Sequence, residues 1–343
     1  MKRTLTGKLV ISAAALMMVA AACGGSAATN APASAAPSAA ATAAPSAGTG
    51  SKPECGTVKL ANYAWVGYEA NVAVIAYLLR NELGCDVVVT TLAEQVSWDG
   101  LPTGDVDAIL ENWGHEDLAQ KYITEQKVAV DLGPNGNEGI IGWFTTKAFA
   151  DANPDILTAD TNPQILNKYA DQFKTSESGD KGQMLDGDPA YVTNDEAIIA
   201  NLGLNYKVVY SGSEAASDKA IQAAAAAGKP ILAYYWTPNW FSTQVEMVHI
   251  KLPPYTAGCD ADAKLVACDY PPYHLNKIAS TKFMDSGSPA ATVIANFKWT
   301  NADQDAVATD LALNKLSDDV AAKNLIDAHP DVWKAWFAGI PGF

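Results

Sequence analysis

The chain has 343 residues, 49% of them hydrophobic and 18% charged, enough for a sizeable core and, by length, for about two domains. Its formal net charge is -15, and three of its cations, Lys2, Arg3 and Lys8, lie in a segment expected to be removed. An acidic surface of this kind argues against nucleic acid or anionic lipid as a partner and mildly favours a cationic ligand.

Residues 1–22 pair a basic start, MKRTLTGK, with the apolar run LVISAAALMMVAAA. The run is too short to span a bilayer comfortably and ends in small residues, as a secretory signal does. It stops at Ala20-Ala21-Ala22-Cys23-Gly24, which resembles the lipobox of bacterial lipoproteins, in which the Cys is lipidated and becomes the mature N-terminus. The departure is Ala20, where an aliphatic residue is usual; simple cleavage near Ala22 is the other outcome. Residues 24–52 contain only Ala, Ser, Pro, Thr, Gly, one Asn and one Lys. Without large apolar side chains such a segment cannot offset its ordering entropy, so residues 23–52 read as a lipidated Cys and a disordered tether. No later run is long and apolar enough for a transmembrane helix. Anchor, tether and acidic domain together place the protein on the outer face of the cell membrane, touching the membrane through its lipid alone.

Beyond the tether, strands alternate with helical patterns. A strand at 57–62 precedes a helix near 69–83, then strands at 86–91, 106–111 and 139–146. Helical stretches near 163–173 and 194–202 lead to a strand at 206–210, an Ala-rich helix at 213–227 and the strand ILAYYW. The last segment is mostly helical, around 301–316, 317–328 and 330–338. Alternation of this kind predicts an α/β fold with parallel layers. Cys55, Cys85, Cys259 and Cys268 are an even set in an oxidising compartment. Three pairings are open; Cys259 with Cys268 around a short loop, and Cys55 with Cys85 before adjacent strands, is the one expected. With no CxxC pair and scattered His, no metal site is expected, and no cofactor. Asp180, Asp186 and Asp188 lack calcium-loop spacing and read as a solvated turn.

One signature recurs at four strand ends: Trp65 after VKLANYA, Trp113 after DAILEN, Trp143 in GIIGW and Trp236 in ILAYYW. Parallel strands present their carboxyl ends on one side of a sheet, so four indoles are expected to converge on one crevice. An indole offers a π face and one donor, with no nucleophile. A box of such faces suits a cation that cannot donate hydrogen bonds, as in recognition of quaternary ammonium groups, at about 0.5 to 2 kcal/mol per contact. Arg80, in the middle of the first helix, is the one arginine beyond the signal and faces away from any crevice, which counts against ordinary amino-acid ligands. His115, two residues after Trp113, is placed to donate to a ligand carboxylate, with Glu69, Glu111, Glu116 and Asp117 as nearby negative charge.

Three stretches, GDVDAILENWGHEDLAQKY, GDPAYVTNDEAIIANLGL and GKPILAYYWTPNW, resemble the substrate-binding proteins of bacterial glycine betaine, choline and proline betaine ABC transporters, over about residues 56–343. The resemblance implies a two-lobed periplasmic-binding-protein (type II) fold, with residues 53–142 plus 247–343 as lobe 1, 143–246 as lobe 2 and a ligand cleft between them. It implies cage roles for Trp113 and Trp236, with Tyr191, Trp65 and Trp143 as further ring positions. Where some betaine binders have a His four residues after the first motif's Trp, this chain has Asp117, with His115 earlier. The expected function is a monomeric receptor that captures a quaternary-ammonium compound and delivers it to an ABC permease, and is not an enzyme. The alternatives are a sugar receptor, since Trp faces also stack on pyranose rings, and an extracellular choline-ester hydrolase, for which no nucleophile–base pair is recognisable.

Overall fold

The computed structural model describes residues 54–191 and 193–343. The secretory signal, lipidated Cys23 and tether fall outside the described residues.

Short runs rich in β-branched residues make the first sheet. Strand β1 (Thr57–Asn62) pairs in parallel with β2 (Asp86–Thr91) and with β3 (Ala108–Asn112). Between β1 and β2 runs helix α1 (Val66–Leu83), apolar on most of its surface and ended by Gly84 at φ 71, a left-handed conformation that glycine takes without strain. Helix α2 (Glu94–Thr103), not among the expected elements, forms despite Gly100 and Pro102 within it.

The largest departure from expectation is β4. The sequence predicts a strand at 139–146, but β4 spans Ala129–Thr146 and passes through the turn-like stretch Gly133-Pro134-Asn135-Gly136. Its first part pairs antiparallel with β9 (Tyr273–Ser280), with register breaks around Pro134. Its second part pairs antiparallel with β7 (Leu232–Thr237) and β8 (Met247–Ile250). Strands β5 (Gly182–Asp186) and β6 (Tyr206–Tyr210) complete the order β2-β1-β3-β9-β4-β7-β5-β6. The layers are therefore mixed rather than wholly parallel. The local α/β alternation was legible, but the pairing of β4 with strands from the far end of the chain carries no local signal.

Two main cores flank β4. One is built from residues of 55–129 and 278–340, among them Leu60, Ile75, Leu78, Ile109 and Phe297. The other is built from 143–268, with Trp143, Ile156, Met184, Ile198 and Ile250. A smaller cluster of Phe144, Leu185, Ile221 and Tyr235 lies against the helix Glu214–Ala226. Ile250, Leu252, Val266 and Cys268, expected with the first lobe, pack in the second core because β8 adds to β4 there. Disulfides join Cys55 to Cys85 and Cys259 to Cys268. The first closes 30 residues, which removes about 3 to 4 kcal/mol of unfolded-chain freedom on the chain-entropy account. Among the described residues no helix is long and apolar enough to cross a membrane.

Candidate functional site

The four strand-end signatures have different fates. Trp65 is the N-cap of α1, in extended conformation and half-buried, and it packs against both main cores. Trp113 follows β3 directly, and its ring lies over Gly139 of β4, where a Cβ would stand 2.5 Å from Cζ3. Only a residue without a side chain leaves that ring its place. Tyr191 ends the turn Pro189–Tyr191, its ring held the same way above Gly187, where a Cβ would come within 2.6 Å. Trp236 and Tyr234 are alternate residues of β7 and share a face, while Tyr235 points to the third cluster.

These rings meet. Tyr191 stands nearly perpendicular to Trp65 (centroids 5.8 Å, 89°) and to Trp236 (5.9 Å, 83°), the edge-to-face arrangement that aromatic quadrupoles favour. Tyr234 meets Tyr270 at 6.0 Å, and Tyr273 meets Trp113 at 5.6 Å. With Glu94, His115, Ile141, Thr193 and Asn194 they enclose a cavity of about 160 Å³. An apolar cavity of roughly 150 Å³ accepts benzene, so the space suits a molecule of several heavy atoms.

Polar groups behind and on the wall set its charge. Glu111, the fourth residue of β3, is wholly buried. Its Oε1 accepts from the indole Nε1 of Trp113 at 2.7 Å and of Trp65 at 3.1 Å. Its Oε2 accepts from Asn71 Nδ2 at 2.7 Å and Gln304 Nε2 at 2.9 Å. Burial pushes this carboxyl above the usual range, and the four donors offset that rise only in part. On the wall itself, His115 Nε2 lies 3.0 Å from Glu94 Oε1. Burial alone would lower this imidazole, but the hydrogen bond and charge of Glu94 more than restore it, leaving it above its ordinary value. The Tyr191 hydroxyl is buried, with Glu214 and Asp188 the nearest charges acting on it.

On the opposite side, Asp195 accepts from Trp143 Nε1 at 2.7 Å and from the Tyr270 hydroxyl at 2.9 Å, both on Oδ1. Burial and then the charge of Asp186 raise its carboxyl. Asp186 is not in a solvated turn as expected: it is fully buried at the end of β5 and accepts from Gly187 N at 2.6 Å and from the hydroxyl of the wall residue Thr193 at 2.5 Å.

Trp65, Trp113, Tyr191, Trp236 and His115 thus reach one cavity; Trp143 does not. It is fully buried in the second core. The reason is strand direction. Because β4 runs antiparallel to β7, Trp236 pairs with Ile141, and Trp143 pairs with Tyr234, one step further from the mouth. The expectation that all four ends converge assumed parallel strands. His115 Nε2 is engaged by Glu94, which leaves Nδ1 as the nitrogen for a ligand carboxylate. Glu69, Glu116 and Asp117 are not on the wall, and Arg80 bonds the Val87 carbonyl at 3.1 Å, away from it. Sequence reasoning missed Glu94, Tyr234, Tyr270 and Tyr273. Tyr234 was available from the period-two alternation within AYYW. Tyr270 and Tyr273 were available from Tyr-Pro-Pro-Tyr, an aromatic stretch broken by proline like that of β7.

Residues 56–328 match a family described as the substrate binding domain of ABC-type glycine betaine transport systems. A trimethylamine N-oxide-binding protein of Pelagibacter ubique is 26% identical over 262 residues, covering 73% of this chain and 81% of that protein. Among solved structures, lactococcal OpuAC, closed and complexed with glycine betaine, superposes with a TM-score of 0.62 at 23% identity, covering 82% of this chain and 99% of that one. An ABC-transporter choline-binding protein in complex with choline gives 0.66 at 17% identity, covering 84% of this chain and 94% of that one. At these identities the two structures establish the two-lobed fold.

Proposed function

The chain belongs to the family of substrate-binding domains of ABC-type glycine betaine transport systems, and on that premise we propose that it captures a small permethylated ammonium compound in the aromatic cavity. The family consists of extracytoplasmic binding proteins rather than enzymes, which removes the hydrolase reading. The observation that carries the proposal is the contact of Trp65, Tyr191 and Trp236, rings from distant parts of the chain, around a cavity of about 160 Å³. π faces attract a cation that has no donor to offer, at about 0.5 to 2 kcal/mol each. Four such faces with buried methyl groups reach the roughly 8 kcal/mol of a micromolar site.

In this reading Trp65 and Trp113 belong to the first lobe, Tyr191 and Trp236 to the second, and ligand contact with both favours closure by hinge motion. The loaded receptor, a monomer, delivers its ligand to the permease of an ABC importer. Cys23 carries the lipid, and residues 24–52 give the reach. Conversion of Cys23 to Ala should shift the protein from the detergent phase to the aqueous phase on partitioning.

Tryptophan fluorescence of the full chain, titrated with choline, glycine betaine, trimethylamine N-oxide and glucose, tests the cage. A saturable change with at least one methylated compound and none with glucose is expected. Saturation by glucose alone would hand the site to the sugar reading.

A further inference from the structure

Glu111 accepts from both indoles of the first half of the cavity wall, and it does so from behind, fully buried. Its four hydrogen-bond partners are all donors. The indole N–H groups of Trp65 and Trp113 cannot accept a hydrogen bond. The two amides are fixed by second bonds: Asn71 Nδ2 also donates to the Gly67 carbonyl at 2.9 Å, and Gln304 Oε1 takes a bond from Asn137 Nδ2. A protonated carboxyl would have to give up one of these four bonds to place its own hydrogen. Gly67 protects the arrangement, since a Cβ there would stand 2.5 Å from Gln304 Nε2.

We propose that Glu111 is a buried anion that positions the Trp65 and Trp113 indoles and makes the cavity select positive charge over shape. The two N–H···O⁻ bonds to one oxygen fix the angle between the rings. They also draw positive character away from the π faces, and the carboxylate adds its field from behind the wall, where little water screens it. The proposal rests on the cage reading above. It adds that the carboxylate strengthens the preference for positive charge beyond what the rings alone supply.

The test compares choline with its neutral carbon isostere, 3,3-dimethylbutan-1-ol, on the full chain by calorimetry. Wild type should prefer choline strongly. Glu111→Gln should weaken choline roughly 10- to 100-fold, the scale of desolvated cation–π and charge contributions, while the isostere changes little. Glu111→Asp, which keeps the charge on a shorter stem, should restore the choline preference even if both ligands bind less well. In wild type, the indole N–H protons of Trp65 and Trp113 should exchange slowly and resonate downfield in NMR spectra, a readout that does not depend on any variant folding. A Gln variant with an unchanged choline-to-isostere ratio, or free exchange of both indole protons, overturns the role of Glu111 and leaves the cage standing. A wild type that binds choline no better than the isostere would bring down the cage reading as well.

Discussion

Glu111 and Asp195 are buried carboxylates behind opposite sides of the same cavity, and their surroundings treat them differently. Glu111 receives four N–H donors spread over both oxygens. Asp195 receives two, both on Oδ1, and among the described residues no donor reaches Oδ2. A buried charge is tolerated when it is fully hydrogen-bonded and expensive when it is not. The first half of the cavity can therefore hold a standing anion. The second half holds a carboxyl that burial and the neighbouring Asp186 push toward its neutral form. On the proposal above, the buried anion that biases the site toward a cation lies on the Trp65–Trp113 side, while rings from both sides contribute cation–π faces.

Among the cage rings, the largest effect is expected at Trp236. Trp236→Ala removes a face of the cage and should weaken choline about thirtyfold, from the ~2 kcal/mol of a desolvated cation–π contact. Full affinity in a titration would take Trp236 out of the cage.

The next change sharpens the contrast between the carboxylates. Asp195→Asn imitates the neutral form and should leave stability within about 1 kcal/mol at neutral pH, whereas Glu111→Gln turns an amide toward four donors and should cost about 1 to 3 kcal/mol. The pH dependence has a definite sign. Asp195 has a raised folded pKa, so the unfolded chain sheds this proton first. Its contribution makes stability fall as pH rises from about 4 toward the folded value. Asp195→Asn should flatten that fall in thermal melts; an unchanged slope would show that Asp195 is not its source.

The smallest effect concerns the wall pair. Below the raised pKa of His115 the imidazolium balances Glu94; above it the Glu94 carboxylate faces the cavity alone. Choline affinity should rise a few-fold as pH climbs through that value, and glycine betaine affinity should fall. Parallel movement of the two ligands in calorimetric titrations would show that the pair does not face the ligand.

The sequence by itself determined much of this protein. Short β-branched runs between turn residues placed β1, β2 and β6 to the residue, because those strands are bounded by local signals. Aromatic strand ends marked Trp65, Trp113 and Trp236, and residue chemistry alone led from indole faces to a cation without donors. Only the tertiary structure decided the rest. The direction of β4 removed Trp143 from the cavity, and strand direction depends on a partner more than a hundred residues away. The motif ENW carried Glu111 in plain view. Its meaning depends on Asn71 and Gln304 arriving from two separate helices. A carboxylate in a string of letters is only a charge; which donors surround it, and so whether it can stay ionised out of water, is settled by packing.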